Sequence, residues 1–406
     1  MRGHEILVLT SNHGLLREQR DGQILRLLLL NGAFGHPLLS GINEMRPLER
    51  HNNEALRETI DAFEPDVIHV FSLHGLSKSL LFTLNHSRRV VVFDIFDHWL
   101  SANVREDPWL RFWNAPSLPI FAQSARTALE MSGDRGRIDG VAPTRLKKGY
   151  DRLPAVFGDG KALASVQPNS IGGFRFDHLY FCSQSLKALT EQVGFSVWNG
   201  SVIYPSISAA YFGEIKPAGT PLKKLLLVAP LNEESGIKTA FKALKIARQA
   251  RPGLSLHVYG RGDSNYIAKL RSFAVANALP VEFLNVSNHQ KDLPAVYKAH
   301  DILLHTPEWN EPFPFSALRA MGCGLPVIGS TVGGSGELLC HGENALTYPP
   351  GDPEQLASRI VELLISPALR CQMAQAAQEA ALTRFNEAAV IDQIENFLQT
   401  AQTQTE

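Results

Sequence analysis

A chain of 406 residues is too long for one ordinary core and suits two α/β domains. Hydrophobic residues at 44% and charged residues at 19% describe a globular chain rather than a disordered one. The 39 basic and 40 acidic side chains give a formal charge of −1, which argues against a duplex nucleic-acid binder but leaves room for a small anion held by local groups.

In chain order, Ile6–Leu9 reads as the first strand, followed by the turn-like Asn12-His13-Gly14. The apolar start is too short for a signal peptide, and no stretch approaches the length of a bilayer span. Asn53–Phe63 reads as a helix, stopped by Glu64-Pro65-Asp66. Strands follow at Val67–Phe71 and Val90–Phe93, without polar alternation, as strands buried on both faces of a parallel sheet require. Residues 101–174 are rich in Pro, Gly, Arg and Trp and are expected to form short helices and long loops. Order returns with a strand at His178–Cys182, a helix from Ser185 and a strand at Ser201–Tyr204.

The proline- and glycine-bearing residues 206–220 read as a linker. A second alternating series follows, with strands at Lys224–Ala229, Ser255–Tyr259, Val281–Leu284, Ile302–His305 and Pro326–Gly329. Its helices fall near Gly236–Ala250, Tyr266–Ala278, Leu293–Ala299, Ser316–Met321 and Pro353–Ile365. The expected fold is α/β, with two facing Rossmann-like doubly wound parallel-sheet domains and a central cleft. The domains are 1–205 and 221–385, and a helix at 386–402 is expected to pack back on the first. Ligands in such sheets bind off the carboxyl ends of the strands, so loops after strands are where to look.

Two such loops stand out. Glu311-Pro312-Phe313-Pro314-Phe315-Ser316 places an acid before a helix, where free backbone donors and the positive helix end favour a phosphate. Phe313, Phe315 and Ser316 can offer N–H groups; Pro312 and Pro314 cannot. A plain helix cap is the competing reading of Glu311. Thr331-Val332-Gly333-Gly334-Ser335-Gly336-Glu337 is a glycine-rich loop one strand later, either a tight turn or a close backbone approach to a ligand. The four cysteines (Cys182, Cys323, Cys340, Cys371) lack ligand spacing, and no D-x-D triplet occurs. A reduced, cytosolic protein without a metal or other cofactor is expected.

The run Glu311–Leu339, with Gly342-Glu343-Asn344-Ala345 and Pro349-Pro350-Gly351-Asp352, resembles the signature of retaining glycosyltransferases of family 4, which have the GT-B fold. Leu226–Leu231 with Glu234–Ile237, Asp177–Ser183 with Val202–Pro205, Asp66–His69 with 73–77, and Phe93–Leu100 are similar to its other strands and loops. Residues 104–174 match poorly. A narrower likeness, to the transferases that build heterocyst-envelope polysaccharide in filamentous cyanobacteria, rests on no single residue. The family resemblance implies that Glu311 contacts the hydroxyls of a donor sugar and that backbone groups at Phe313, Pro314 and Phe315 meet the phosphates of a nucleotide diphosphate. It implies a metal-independent reaction that keeps the anomeric configuration, with a UDP-sugar such as UDP-glucose favoured.

Three donor positions depart from the family pattern. Pro230 stands where an arginine is expected, Ser235 where a lysine is expected, and Arg319 where a second glutamate is expected. Two cations are lost and one acid becomes a cation, so the local formal charge is unchanged. Arg319 is expected to reach toward the phosphates, helped by Lys238 and Arg261; a solvated helix arginine is the alternative. Decay to a non-catalytic relative is a second reading of the same changes.

On the acceptor side, Asp94, Asp97, His98 and Trp99 follow a buried strand. Asp97 is the preferred acid, with a capping role equally open. His98 is displaced from the family's His-Asp order. His13 and Gly14 occupy the loop that faces the diphosphate in GT-B enzymes, or form a plain turn. Pro108–Trp113 reads as core, as a sugar-stacking cluster or as a peripheral membrane contact at the inner face; Arg145–Lys148 reads as a solvated loop, with anionic lipid as the minority alternative. The leading expectation is a transferase moving a hexose to a glycan or lipid-linked acceptor in exopolysaccharide synthesis. A catalytically silent partner in a polysaccharide assembly complex and a nucleotide-sugar epimerase are the rivals.

Overall fold

The computed structural model describes residues 3–14, 19–34, 36–39, 42–77, 79–100, 135–137, 152–154, 176–192, 197–284 and 293–404. Pro108–Trp113 and Arg145–Lys148 lie outside the described residues. The chain divides into two compact units, one of Met1–Cys182, Leu186–Val202 and Glu395–Glu406, the other of Ser183–Ser185 and Ile203–Ile394.

In the first unit, β1 (Val8–Ser11) pairs parallel with β3 (Ile24–Leu28), and β2 (Gln19–Asp21) folds back on β3 as an antiparallel hairpin. The helix Ile42–Phe63 carries Pro47 near its start and extends eleven residues ahead of the expected Asn53. Buried Asn52 on this helix anchors it to the sheet, accepting from Leu29 N at 2.8 Å and donating to Leu29 O at 2.9 Å. A separate all-parallel sheet follows, formed by β4 (Val67–Val70) and β5 (Val90–Ile95) with β8 (His178–Phe181) and β9 (Ser201–Val202). Between β5 and β8 in sequence, β6 (Arg135–Arg137) and β7 (Arg152–Pro154) pair as a small ribbon. The end of the last helix belongs to this unit, where the Phe397 ring meets Tyr180 edge-on at 5.4 Å.

The second unit is built on six parallel strands: β10 (Lys224–Val228), β11 (Ser255–Tyr259), β12 (Val281–Leu284), β13 (Ile302–His305), β14 (Val327–Ser330) and β15 (Leu346–Tyr348). Their order is β12-β11-β10-β13-β14-β15. The sequence direction of the sheet therefore reverses between β10 and β13, and a crevice opens at such a switch point. Leu225, Leu227, Leu256, Val258, Ile302, Leu304 and Ile328 are buried on these strands, packed with Phe241, Leu244 and Ile360 from covering helices. Helix starts follow local chemistry: Asp263 accepts from Asn265 N and Tyr266 N at Ser264–Ala276, and Asp352 accepts from Gln355 N ahead of Pro353–Ile365.

Residues 206–220 run along this second unit. Ile207 is buried and its N–H donates to Phe385 O at 3.0 Å; Lys216 Nζ pairs with Asp301 at 2.7 Å. The helix Pro367–Arg384, absent from the sequence reading, buries Met373, Ala374, Ala377 and Ala381. Among the described residues no helix is long and apolar enough to cross a membrane.

Candidate functional site

The loops after β10, β13 and β14 form one backbone-packed shelf at the carboxyl edge of the second sheet. Gly236 sits at φ 63°, and a Cβ there would fall 1.9 Å from Thr306 O. The same approach is stitched by Thr306 Oγ1 donating to Ser235 O at 2.7 Å and Glu308 N donating to Glu234 O at 2.8 Å. On the other side, a Cβ on Gly333 would lie 2.4 Å from Glu311 O, and one on Gly334 2.2 Å from Pro312 O. Gly334 N donates to Glu311 O at 2.8 Å. The glycines of the 331–336 loop thus admit the backbone of the Glu311 loop.

Glu311 is partly exposed at 22% of its side chain, and its Oε2 lies 3.0 Å from Nε2 of buried His305 and 3.4 Å from Ser335 Oγ. His305 Nε2 is also 2.9 Å from Ser335 Oγ, and its Nδ1 is 3.1 Å from Ser316 Oγ. A carboxylate only accepts, so the network is satisfied with the imidazole proton on Nε2 and Nδ1 accepting from the Ser316 hydroxyl. His305 ends β13 as one polar side chain in a buried strand, and that is its only mark in the sequence.

Residues 214–380 match the family described as glycosyl transferases group 1. The matched residues lie within the second unit. The chain is 31% identical over 215 residues to the glycogen synthase of Mycobacterium tuberculosis (strain CDC 1551 / Oshkosh), covering 52% of this chain and 51% of that protein. It is 28% identical over 170 residues to spore coat protein SA of Bacillus subtilis, covering 40% and 45%. The matches therefore span about half the length of these curated relatives. Among solved structures, Anabaena HepE in complex with UDP-glucose aligns with TM-score 0.62 and 19% identity over 97% of this chain and 99% of that one. The sucrose-phosphate synthase of Thermosynechococcus elongatus aligns with TM-score 0.64 and 19% identity over 97% and 87%. The chain has the GT-B fold.

Within the second unit, the remaining residues expected on the donor side divide by surroundings. Phe313 is buried, its ring near Tyr204, Phe315 and Phe385 at 6.1, 5.4 and 5.8 Å, so only its backbone is left to face a ligand. Pro314 caps the helix Phe315–Gly322, and Ser316 in the first turn is spent on His305. The Arg319 guanidinium lies 5.4 Å from the Tyr211 ring and 5.8 Å from the Phe315 ring, a cation–π placement. Pro230 is exposed. Ser235 is buried, and both its N–H and its hydroxyl bond Asn232 Oδ1, at 3.0 and 2.8 Å. Exposed Lys238 pairs with Glu233 at 3.1 Å, and the backbone O of exposed Arg261 accepts from Leu231 N at 2.7 Å. Glu337, the last residue of the glycine-rich run, accepts from Gln184 N, Ser185 N and the Tyr204 hydroxyl at 2.9, 2.8 and 2.9 Å.

In the first unit, Asp97 Oδ1 accepts from Trp99 N at 2.6 Å, the capping arrangement for a turn after a strand. Trp99 is a core residue at 1% exposure, and its indole N–H donates to Asp94 O at 3.1 Å, so its ring is withdrawn from any acceptor. His98 is half-buried beside it. His13 is exposed, with Nδ1 3.2 Å from His36 Nε2 and its ring 5.6 Å from Phe34. Gly14 follows at φ 78° with open space where a Cβ would be, so a turn conformation accounts for it. Asp94 is buried at the carboxyl end of β5: burial pushes its carboxyl up to about 7, against a lowering hydrogen bond from Tyr180 and with Asp97 adding to the rise.

Proposed function

We propose that this protein is a retaining, metal-independent glycosyltransferase that moves a hexose from a nucleotide diphosphate sugar to a glycan or lipid-linked acceptor in exopolysaccharide synthesis. A UDP-sugar such as UDP-glucose is the favoured donor. The observation that carries the reading is the Glu311 carboxylate, fixed by His305 and Ser335 beside the β10/β13 switch point and just ahead of a helix start. In this reading Glu311 holds the sugar hydroxyls, while the shelf backbone and the helix end stabilise the charge growing on the departing diphosphate. The acceptor attacks from the face the nucleotide leaves, and a leaving phosphate oxygen takes its proton. The UDP-glucose complex of HepE supports the donor class. The absence of a D-x-D triplet supports a site without a metal. A cytosolic location, with contact to the inner membrane face if the acceptor is lipid-linked, completes the proposal.

A second reading, a catalytically silent binding partner, is favoured by the two lost donor cations, most directly at Ser235. It stands where the resemblance expects a lysine and is buried and spent on Asn232, so it supplies no charge to a diphosphate. Thermal-shift titration with UDP, GDP, ADP and UDP-glucose tests the donor reading, because a ligand bound only by the folded state raises its stability. Selective stabilisation by UDP and UDP-glucose is expected; equal response to all four, or to none, contradicts it.

A further inference from the structure

We infer that His305 is a positioning residue that orients the Glu311 carboxylate for the donor hexose, and thereby sets discrimination between a nucleoside diphosphate and its sugar conjugate. The inference rests on the donor reading above and concerns a residue that touches no ligand itself.

The contacts divide the carboxylate in two. Those from His305 Nε2 and Ser335 Oγ, at 3.0 and 3.4 Å, both fall on Oε2. Among the described residues neither contact falls on Oε1, which in this reading accepts from the sugar hydroxyls. The imidazole is pinned at its other nitrogen by Ser316 Oγ at 3.1 Å, and buried on the last residue of β13. Ser316 lies in the first turn of Phe315–Gly322, and Ser335 opens Ser335–Leu338. One buried ring therefore ties the strand end, the phosphate-side helix and the glycine-rich loop to one orientation of one carboxylate. A hydrogen bond to a charged group in a buried setting is stronger than a neutral one, so the arrangement resists rotation of Glu311. A histidine that merely filled the core would need no carboxylate, since two serines satisfy both of its nitrogens.

The test is calorimetric, with UDP and UDP-glucose as probes and the full chain as the protein. In the wild type, UDP-glucose is expected to bind more tightly than UDP. His305→Leu should cut that preference about tenfold while leaving UDP affinity within about twofold. His305→Gln, whose amide N–H can reach Glu311, should keep most of the preference. His305→Asn, which can meet Ser316 but is too short for Glu311, should lose it, and covers the case in which the leucine variant does not fold. The double variant His305→Leu/Glu311→Gln should discriminate no worse than Glu311→Gln alone, because the two residues act through one carboxylate. Additive losses, an equal fall in UDP affinity, or unchanged preference in the leucine and asparagine variants would overturn the assignment. A wild-type chain that binds neither probe removes the donor reading and this role with it, which is a different result from unchanged preference in the variants.

Discussion

The Tyr180 hydroxyl donates to Asp94 Oδ2 at 3.1 Å, from directly opposite Asp94 in the parallel register of β5 and β8. Because that proton goes to the carboxyl, the same oxygen accepts from His69 Nε2 at 2.9 Å, one strand further along. Burial lifts Asp94 to about 7 and lowers His69 to about 4, so the three side chains are neutral together between those values. The sign for Asp94 follows. Its unfolded carboxyl ionises near 3.8 while the folded one keeps its proton to about 7. Stability contributed by the protonated form is therefore present at low pH and lost as pH rises toward 7. Asp94→Asn should melt close to the wild type at pH 4 and above it at pH 8, as measured by thermal unfolding. A variant less stable than the wild type at pH 8 contradicts this.

Gly236→Ala should destabilise the second unit. The substitution forces a side chain into φ 63° and sets its Cβ against Thr306 O, a backbone atom that cannot swing aside. A loss of about 3 kcal/mol, or a Tm lower by about 6–12 °C, is expected for a unit of this size. Differential scanning calorimetry reads it directly, and an unchanged Tm would mean that the loops after β10 and β13 are not packed this closely.

Arg319→Glu should weaken binding of UDP-glucose by about tenfold or more. It removes a cation held between Tyr211 and Phe315 and places an anion one helical turn from the proposed phosphate site. Unchanged or improved affinity in titration would assign Arg319 to packing alone and remove it from the donor site.

Much of the second sheet was legible from its chemistry. Strands Ser255–Tyr259, Val281–Leu284 and Ile302–His305 fall where the apolar runs place them, since turn residues bound each run, and Pro353–Ile365 is marked by its Asp352 cap and leading proline. The helix Pro367–Arg384 was hidden because its buried face is mostly alanine, which contrasts weakly with its exposed glutamines and alanines. The start of Ile42–Phe63 was hidden by Pro47, which reads as a break although a proline near a helix start is tolerated. At the site, the Glu311 loop was visible as an acid ahead of a helix. His305 was not, because hydrogen bonds to residues 6, 11 and 30 positions away leave no local pattern. Trp99 illustrates the converse: an aromatic after a strand reads as a ligand contact, and tertiary burial makes it core.

The most direct test is release of UDP from UDP-glucose with water as acceptor, comparing the native chain with Glu311→Ala at matched folded concentration. Measurable release by the native chain and a fall of at least about tenfold in the variant are expected, since the carboxylate proposed to hold the hexose in the transition state is gone. Equal rates in the two proteins would contradict the assignment of Glu311 to the donor sugar.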